Sequence, residues 1–406
     1  MKYLVLLTDG AADYPIAEIG GKTPYAVANK PTIDLLAKNS LVGTVSNVPE
    51  GMVPESDTAN LAVMSYDPKQ YSKGRSPLEA MSLGLDMQPC DTAYRCNVVT
   101  IGNPGDEEVP YEDKIMIDHG ADEITTPESD QLIKTIEKEL GNELRHFFTG
   151  VSYRHCLIWK DAPEFKDFMR PHDILGQCVK DYLPAEPFLS IQKKSYEILS
   201  LHPVNLDRIK RGLRPANSCW FWSPGKKPAL PSFKEKWGLD ASVISAVDLI
   251  KGIAICAGMR SIDVEGATGN ISTNFAGKGQ AAIEEFKNGA DYVYIHVEAP
   301  DECGHRAELD NKILSIEKID AEILAPVYKY LSESGEDFKI MVLPDHPTPI
   351  CKRTHTMDAV PFMVYDSKKA ENGVDCFCED SAAKTGLYIS KGENLMELFI
   401  NDNIVK

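Results

Sequence analysis

Short apolar runs, each broken abruptly by an acidic or turn-forming residue, set the pattern of this chain. Tyr3-Leu4-Val5-Leu6-Leu7 runs at once into Thr8-Asp9-Gly10. Ile340-Met341-Val342-Leu343 runs into Pro344-Asp345-His346, and Tyr292-Val293-Tyr294-Ile295-His296-Val297 into Glu298-Ala299-Pro300-Asp301. Continuous apolar runs of this length read as strands buried on both faces of a parallel sheet. A further strand is predicted over residues 241–247 and a short one over 42–45. Helices are predicted over 31–39 (Pro31 in the first turn, where a missing N–H costs nothing), 248–259, 277–288 and 394–400. Residues 312–331 read as one long amphipathic helix that serves as scaffold. Strands alternating with helices place the chain in the α/β class.

The pattern changes between about residues 90 and 214. Shorter, alternating segments over 93–99, 143–149 and 153–159 lie among helical stretches over 129–140 and 189–201. This mixture predicts a smaller α+β domain inserted into the first. The core then comprises 1–89 and 215–406, and the insert 90–214. The aromatic stretch Trp220-Phe221-Trp222 reads as core packing at the domain junction.

Composition narrows the function classes. The chain has 406 residues, 43% hydrophobic and 26% charged, which suits a globular protein with a large core. Its net charge of −18 argues against nucleic acid or an anionic membrane as partner, since both want clustered Lys and Arg. The ten cysteines show no paired CxxC spacing and read as reduced thiols. The N-terminal apolar run is too short for a signal peptide, and no run approaches membrane-spanning length, so a cytoplasmic location is expected.

Ligand sites in α/β sheets form beyond the carboxyl ends of strands. Asp9, Asp301 and Asp345 all fall there. His305 lies one helical turn after Asp301, His346 adjoins Asp345, and His355 follows the Pro347-Thr348-Pro349 loop. Carboxylates mixed with imidazoles suit Mn or Zn and a two-metal centre. Each residue also has a plain reading: Asp9 can be a turn residue before glycine. Ser56, at or just before a helix start, can be an N-cap or a nucleophile at an anion-binding end. Arg154 and Arg214 can be an exposed strand residue and a linker charge. Alternatively, with His155, they are a grip on a carboxylate or phosphate, for which the guanidinium fork is suited. Lys278, in Gly277-Lys278-Gly279, is either solvated or reaches the site. That tripeptide is not the GxxxxGK[ST] phosphate loop, so P-loop nucleotide chemistry is unsupported.

The ordered set of Asp9-Gly10, Pro54-Glu55-Ser56-Asp57-Thr58-Ala59-Asn60, Tyr66-Asp67-Pro68, Gly74-Arg75-Ser76-Pro77-Leu78-Glu79-Ala80, Pro300-Asp301-Glu302-Cys303-Gly304-His305 and Asp345-His346 with His355 resembles the archaeal-type, cofactor-independent phosphoglycerate mutases of the alkaline phosphatase superfamily. The resemblance spans nearly the whole chain. It implies an alkaline-phosphatase-like sheet sandwiched by helices, with the insert as a substrate-binding cap. It implies one divalent metal on Asp301, His305 and His355, and a second on Asp9, Asp345, His346 and the Ser56 oxygen. Mn2+ is the expected ion, with Zn2+, Co2+ or Mg2+ as alternatives. Ser56 would be transiently phosphorylated, and Arg154, His155, Arg214 and Lys278 would engage a small phosphorylated carboxylic acid. The implied activity is interconversion of 3-phosphoglycerate and 2-phosphoglycerate in glycolysis. The oligomeric state is left open. Ala11-Ala12-Asp13-Tyr14-Pro15-Ile16 and Val297-Glu298-Ala299-Pro300-Asp301 resemble instead a related bacterial branch proposed to phosphorylate homoserine. The mutases often carry Lys where this chain has Glu298. A homoserine kinase-like transferase and a metal-dependent phosphomonoesterase are therefore the alternatives.

Overall fold

The structure is a computed structural model describing residues 1–105, 107–164 and 167–404. It divides into two compact units, Met1–Ser72 with Ala229–Lys406, and Lys73–Pro228. In chain order the strands are β1 (Lys2–Thr8), β2 (Leu41–Val45), β3 (Asp91–Gly102), β4 (Ile115–Asp118), β5 (Arg145–Val151), β6 (Arg154–Lys160) and β7 (Ser218–Lys226). The chain continues with β8 (Ala241–Ile244), β9 (Arg260–Ile262), β10 (Tyr292–Val297), β11 (Phe338–Leu343), β12 (Val360–Asp366) and β13 (Tyr388–Ile389).

The first unit holds an eight-stranded sheet in the order β13-β2-β12-β11-β1-β10-β8-β9. β1 lies between β10 and β11 and is parallel to both. Its alternate residues Leu4 and Leu6 join Val293, Ile295, Ile340 and Val342 in one core, filled from helices by Ile33, Phe275, Ile316 and Val327. The other face carries Tyr3 against Phe399, and Tyr294 donating to Asn60 Oδ1 of the helix Ser56–Val63. Helices therefore cover both faces, as an all-apolar parallel strand requires.

Register positions the chemistry. Thr8 pairs with Val297, and Leu7 with Leu343. The three central strands thus end in line, and the residues after them emerge along one sheet edge. The helix expected over 312–331 is interrupted. Leu309–Lys318 passes through a π-helical turn, Ile319–Leu324, into Ala325–Glu333. Pro326 lacks the N–H that a continuous helix needs, and the turn before it widens. Asp320, in that turn, accepts from the N–H groups of Thr32 (3.2 Å) and Ile33 (2.6 Å) at the start of the helix Pro31–Ala37.

In the second unit β3 pairs antiparallel with β4, β6 and β7, and β5 pairs with β6. Helices Thr126–Leu140 and Phe188–Ser200 pack Leu132, Ile136, Phe188 and Ile191 into its core. The aromatic stretch packs in the core as expected, but within the second unit rather than at its junction. It is part of β7, with Phe221 opposite Cys96 of β3. The helix Ser76–Ser82 also packs on β3 and β7. Both segments therefore belong to the inserted unit, and the expected boundaries at 89/90 and 214/215 give way to 72/73 and 228/229. Among the described residues, no helix is long and apolar enough to cross a membrane.

Candidate metal centre

Asp9 follows β1, and its N–H donates to Val297 O at 3.0 Å. Gly10 comes next with φ +62°, and a Cβ there would lie 2.6 Å from both the Asp301 Cα and the Thr348 Oγ1. Only glycine fits, because the conformation and the close approach both exclude a side chain. The Gly10 N–H donates to Asp345 Oδ1 at 3.2 Å. The backbone just after β1 is thus fastened to the carboxylate that follows β11.

Two groups of potential ligand atoms form at this edge. Asp9, Asp345 and His346 offer atoms within 4.8 Å of one another, and so do Asp301, His346 and His355. His346 Nε2 lies 3.7 Å from Asp9 Oδ1 and 3.4 Å from Asp345 Oδ2. It also lies 3.3 Å from the Ser56 Oγ. Ser56 opens the helix Ser56–Val63, with Glu55 at the N-cap position. Its hydroxyl therefore stands at the positive end of that helix. On the other side, Asp301 and His305 lie on the helix Ala299–Arg306. His305 Nε2 is 3.2 Å from Asp301 Oδ2 and 2.9 Å from His355 Nε2. His355 Nε2 is 3.3 Å from Asp301 Oδ1. His346 stands between the groups, its ring stacked on His355 at 4.0 Å.

The two sides differ in charge balance. Burial raises the Asp9 carboxyl well above the usual range, and crowding by Asp345 and Asp301 raises it further. Asp301 is buried as well, yet hydrogen bonds from His305 and His355 outweigh burial and hold it low. His305 is pushed up to about 9, chiefly by its bond to Asp301. For His355 burial acts downward, and Asp301 outweighs it, so the net shift is upward. Asp9 Oδ1 is buried with no hydrogen-bond partner among the described residues. A buried carboxylate oxygen without a partner, amid further carboxylates and imidazoles, is a fit for a divalent cation.

The 2,3-bisphosphoglycerate-independent phosphoglycerate mutase family is matched over residues 37–205. A Methanosarcina barkeri protein bearing that name is 44% identical, over 98% of this chain and 99% of its own. The chain belongs to that family. A Methanothrix thermoacetophila protein of the same name is 42% identical, over 98% of this chain and 100% of its own. Among solved structures, a Pyrococcus horikoshii protein aligns with TM-score 0.81 at 28% identity, covering 100% of this chain and 98% of that one. A cofactor-independent phosphoglycerate mutase from Thermoplasma acidophilum aligns with TM-score 0.68 at 25% identity, covering 99% of each.

Several neighbours of these candidate ligands escape sequence reading. His296, fully buried on β10, places Nε2 2.9 Å from Asp9 Oδ2, and burial drives its pKa down to about 3. Asn60 donates to Asp345 Oδ2 at 2.9 Å. Thr348 donates through Oγ1 to Asp301 Oδ1. The strand position of His296, two residues before Glu298, hides the fact that its side chain turns towards Asp9. Lys278 is buried and donates to His296 O at 2.9 Å, and burial lowers its pKa to about 8. Burial also raises Glu298 to about 8.

The other predicted residues lie in the second unit. Arg154 is exposed at the start of β6. His155 is 4% exposed, its Nδ1 accepting from the Gly150 N–H at 3.1 Å, and its Nε2 has no partner among the described residues. Arg214 is half exposed and paired with Asp118 at 2.8 Å and Asp122 at 3.3 Å.

Proposed function

We propose that this chain interconverts 3-phosphoglycerate and 2-phosphoglycerate, with Ser56 carrying the phosphoryl group between the two hydroxyls. The observation that supports it best is the Ser56 Oγ, 3.3 Å from the His346 Nε2 that faces Asp9 and Asp345. A serine that served only as a cap would not sit among candidate ligands at the front of its helix. In this reading Asp301, His305 and His355 hold one divalent ion, and Asp9, Asp345, His346 and Ser56 the other, with Mn2+ the expected species. Bound there, the pair supplies Lewis acidity and offsets charge on the transferred group.

Ser56 Oγ attacks phosphorus and gives up its proton as the bond to the glycerate oxygen breaks, and that oxygen takes up the proton and leaves as a free hydroxyl. The helix N-terminus behind Ser56 favours the negative charge brought to it. The second glycerate hydroxyl then attacks the phosphoserine and restores Ser56. Between the steps the glycerate must stay bound and water must stay out. Arg154, His155 and Arg214 of the inserted unit are assigned to gripping its carboxylate and phosphate, and Lys278 reaches the site from the core, where its ammonium is bonded to His296 O. A cytoplasmic setting goes with so small an anionic metabolite.

The test is phosphorus NMR of the Mn-loaded protein with 3-phosphoglycerate and no nucleotide. The expected result is 2-phosphoglycerate at constant total phosphoester. Inorganic phosphate as the main product would make the protein a phosphomonoesterase. Turnover only with ATP and homoserine would make it a transferase.

A further inference from the structure

Lys312 lies on the helix Leu309–Lys318, directly after the helix that carries Asp301 and His305. It is 0% exposed. Its ammonium donates to Asp13 Oδ2 at 2.8 Å, to Thr348 O at 2.8 Å and to Ala12 O at 3.4 Å. Three donors thus meet three acceptors. Ala12 and Asp13 belong to the loop that follows Asp9, and Thr348 to the loop between His346 and His355. One ammonium therefore joins the Asp9 loop and the His346–His355 loop to the helix that follows the Asp301 helix; of the segments that bear candidate ligands only that of Ser56 stands apart.

The junction is reinforced around it. Asp13 also accepts from the Ile350 N–H at 3.1 Å and the Tyr14 N–H at 2.8 Å, and its own N–H donates to Glu379 Oε1 at 3.0 Å. Thr348 N–H donates to Ala12 O at 3.2 Å. Thr348 Oγ1 then reaches Asp301 Oδ1, and lies 3.4 Å from His346 Nδ1. A Cβ on Gly304 would collide with Thr348 O, so this loop is seated directly against the Asp301 helix.

A buried ion pair is a poor source of stability, since packed apolar residues of similar volume often do as well or better. Orientation is what an apolar residue cannot supply. We propose that Lys312 is a positioning residue for the metal pair. It fixes the Asp9 loop, the His346–His355 loop and the Asp301 helix relative to one another, and through Thr348 it aims the Asp301 carboxylate. The proposal rests on the metal reading above.

The test is Mn2+ binding to the whole chain, with free Mn2+ followed by electron paramagnetic resonance, and with the melting temperature of the metal-free protein recorded separately. The variant pairs Lys312→Met with Asp13→Asn, so that no lone charge is left buried. We expect one of two ions to bind about 10–100-fold more weakly, the range for lost outer-shell support. Lys312→Arg should recover part of it. Should the double variant not fold, Thr348→Val removes only the hydroxyl that aims Asp301, and the same ion should weaken. A folded variant that binds both ions with unchanged affinity, whatever its melting temperature, overturns the proposal. A parent protein that takes up no pair of ions overturns the metal reading instead.

Discussion

Backbone register positions the candidate ligands of the first unit, whereas local side-chain contacts position the candidate grip of the second. Asp9, Asp301 and Asp345 follow three adjacent parallel strands that end in line. Arg154, His155 and Arg214 sit on one antiparallel strand and on the chain leading into another, with no shared edge to gather them. Two of the buried histidines make the contrast concrete. Burial takes both His296 and His155 down to about 3. His296 faces Asp9 at 2.9 Å, so its neutral ring supports a ligand. His155 accepts one backbone N–H of its own hairpin, and its Nε2 has no partner among the described residues. A parallel sheet thus makes a site wherever its strands end, while an antiparallel insert must build one from individual side chains.

Ser56→Ala puts the greatest strain on this contrast. Turnover should fall by about 10³-fold or more, because the substitution removes the attacking oxygen itself. Metal analysis of the same sample should find both ions, since Asp9, Asp345 and His346 remain. Loss of an ion together with activity would mean that Ser56 serves the ligand cage rather than the phosphoryl group. Arg154→Ala should act more mildly, and on substrate binding rather than on turnover. Removing one charged contact to substrate is worth about 1.5–3 kcal/mol. Steady-state kinetics should therefore show KM raised roughly 10- to 100-fold, with metal content unchanged. An altered metal content would erase the division of labour between the units.

The same division decides what could be read from the sequence. Five of the eight strands of the sheet are legible, and so are the three central strand ends that bring Asp9, Asp301 and Asp345 to one edge, because an apolar run that stops at an Asp marks both a strand and its end. β9, β12 and β13 are missed. Ser56 is legible because a hydroxyl before an apolar helix is a local signal. The sharing of His346 between two ligand groups is not legible, because it depends on how the loop after β11 folds back over the Asp301 helix. Lys312 reads as one more charge on an amphipathic helix. Only the tertiary fold brings three acceptors from distant segments to its ammonium. The aromatic stretch 220–222 reads as packing, and its pairing with β3 is a long-range contact that no local pattern encodes.

The smallest effect concerns pH and the stability of the second unit alone. His155 titrates near 6.5 in an unfolded chain and near 3 in the folded one, because burial outweighs the attraction of Asp130. Between these values the unfolded chain holds a proton that the folded unit refuses. Stability contributed by the neutral ring is therefore complete above pH 6.5 and is lost as pH falls towards 3. The slope is about 1.4 kcal/mol per pH unit for one proton. His172 and His202, both lowered mainly by burial, add to it with the same sign. Urea unfolding followed by tryptophan fluorescence reports chiefly on this unit, which holds Trp159, Trp220 and Trp222 against Trp237 in the other. Between pH 7.0 and 5.5 the midpoint should fall, and His155→Gln should flatten the fall without removing it. A midpoint with the same pH dependence in that variant would show that His155 is not kept neutral by its burial, and the likeness drawn between it and His296 would be lost.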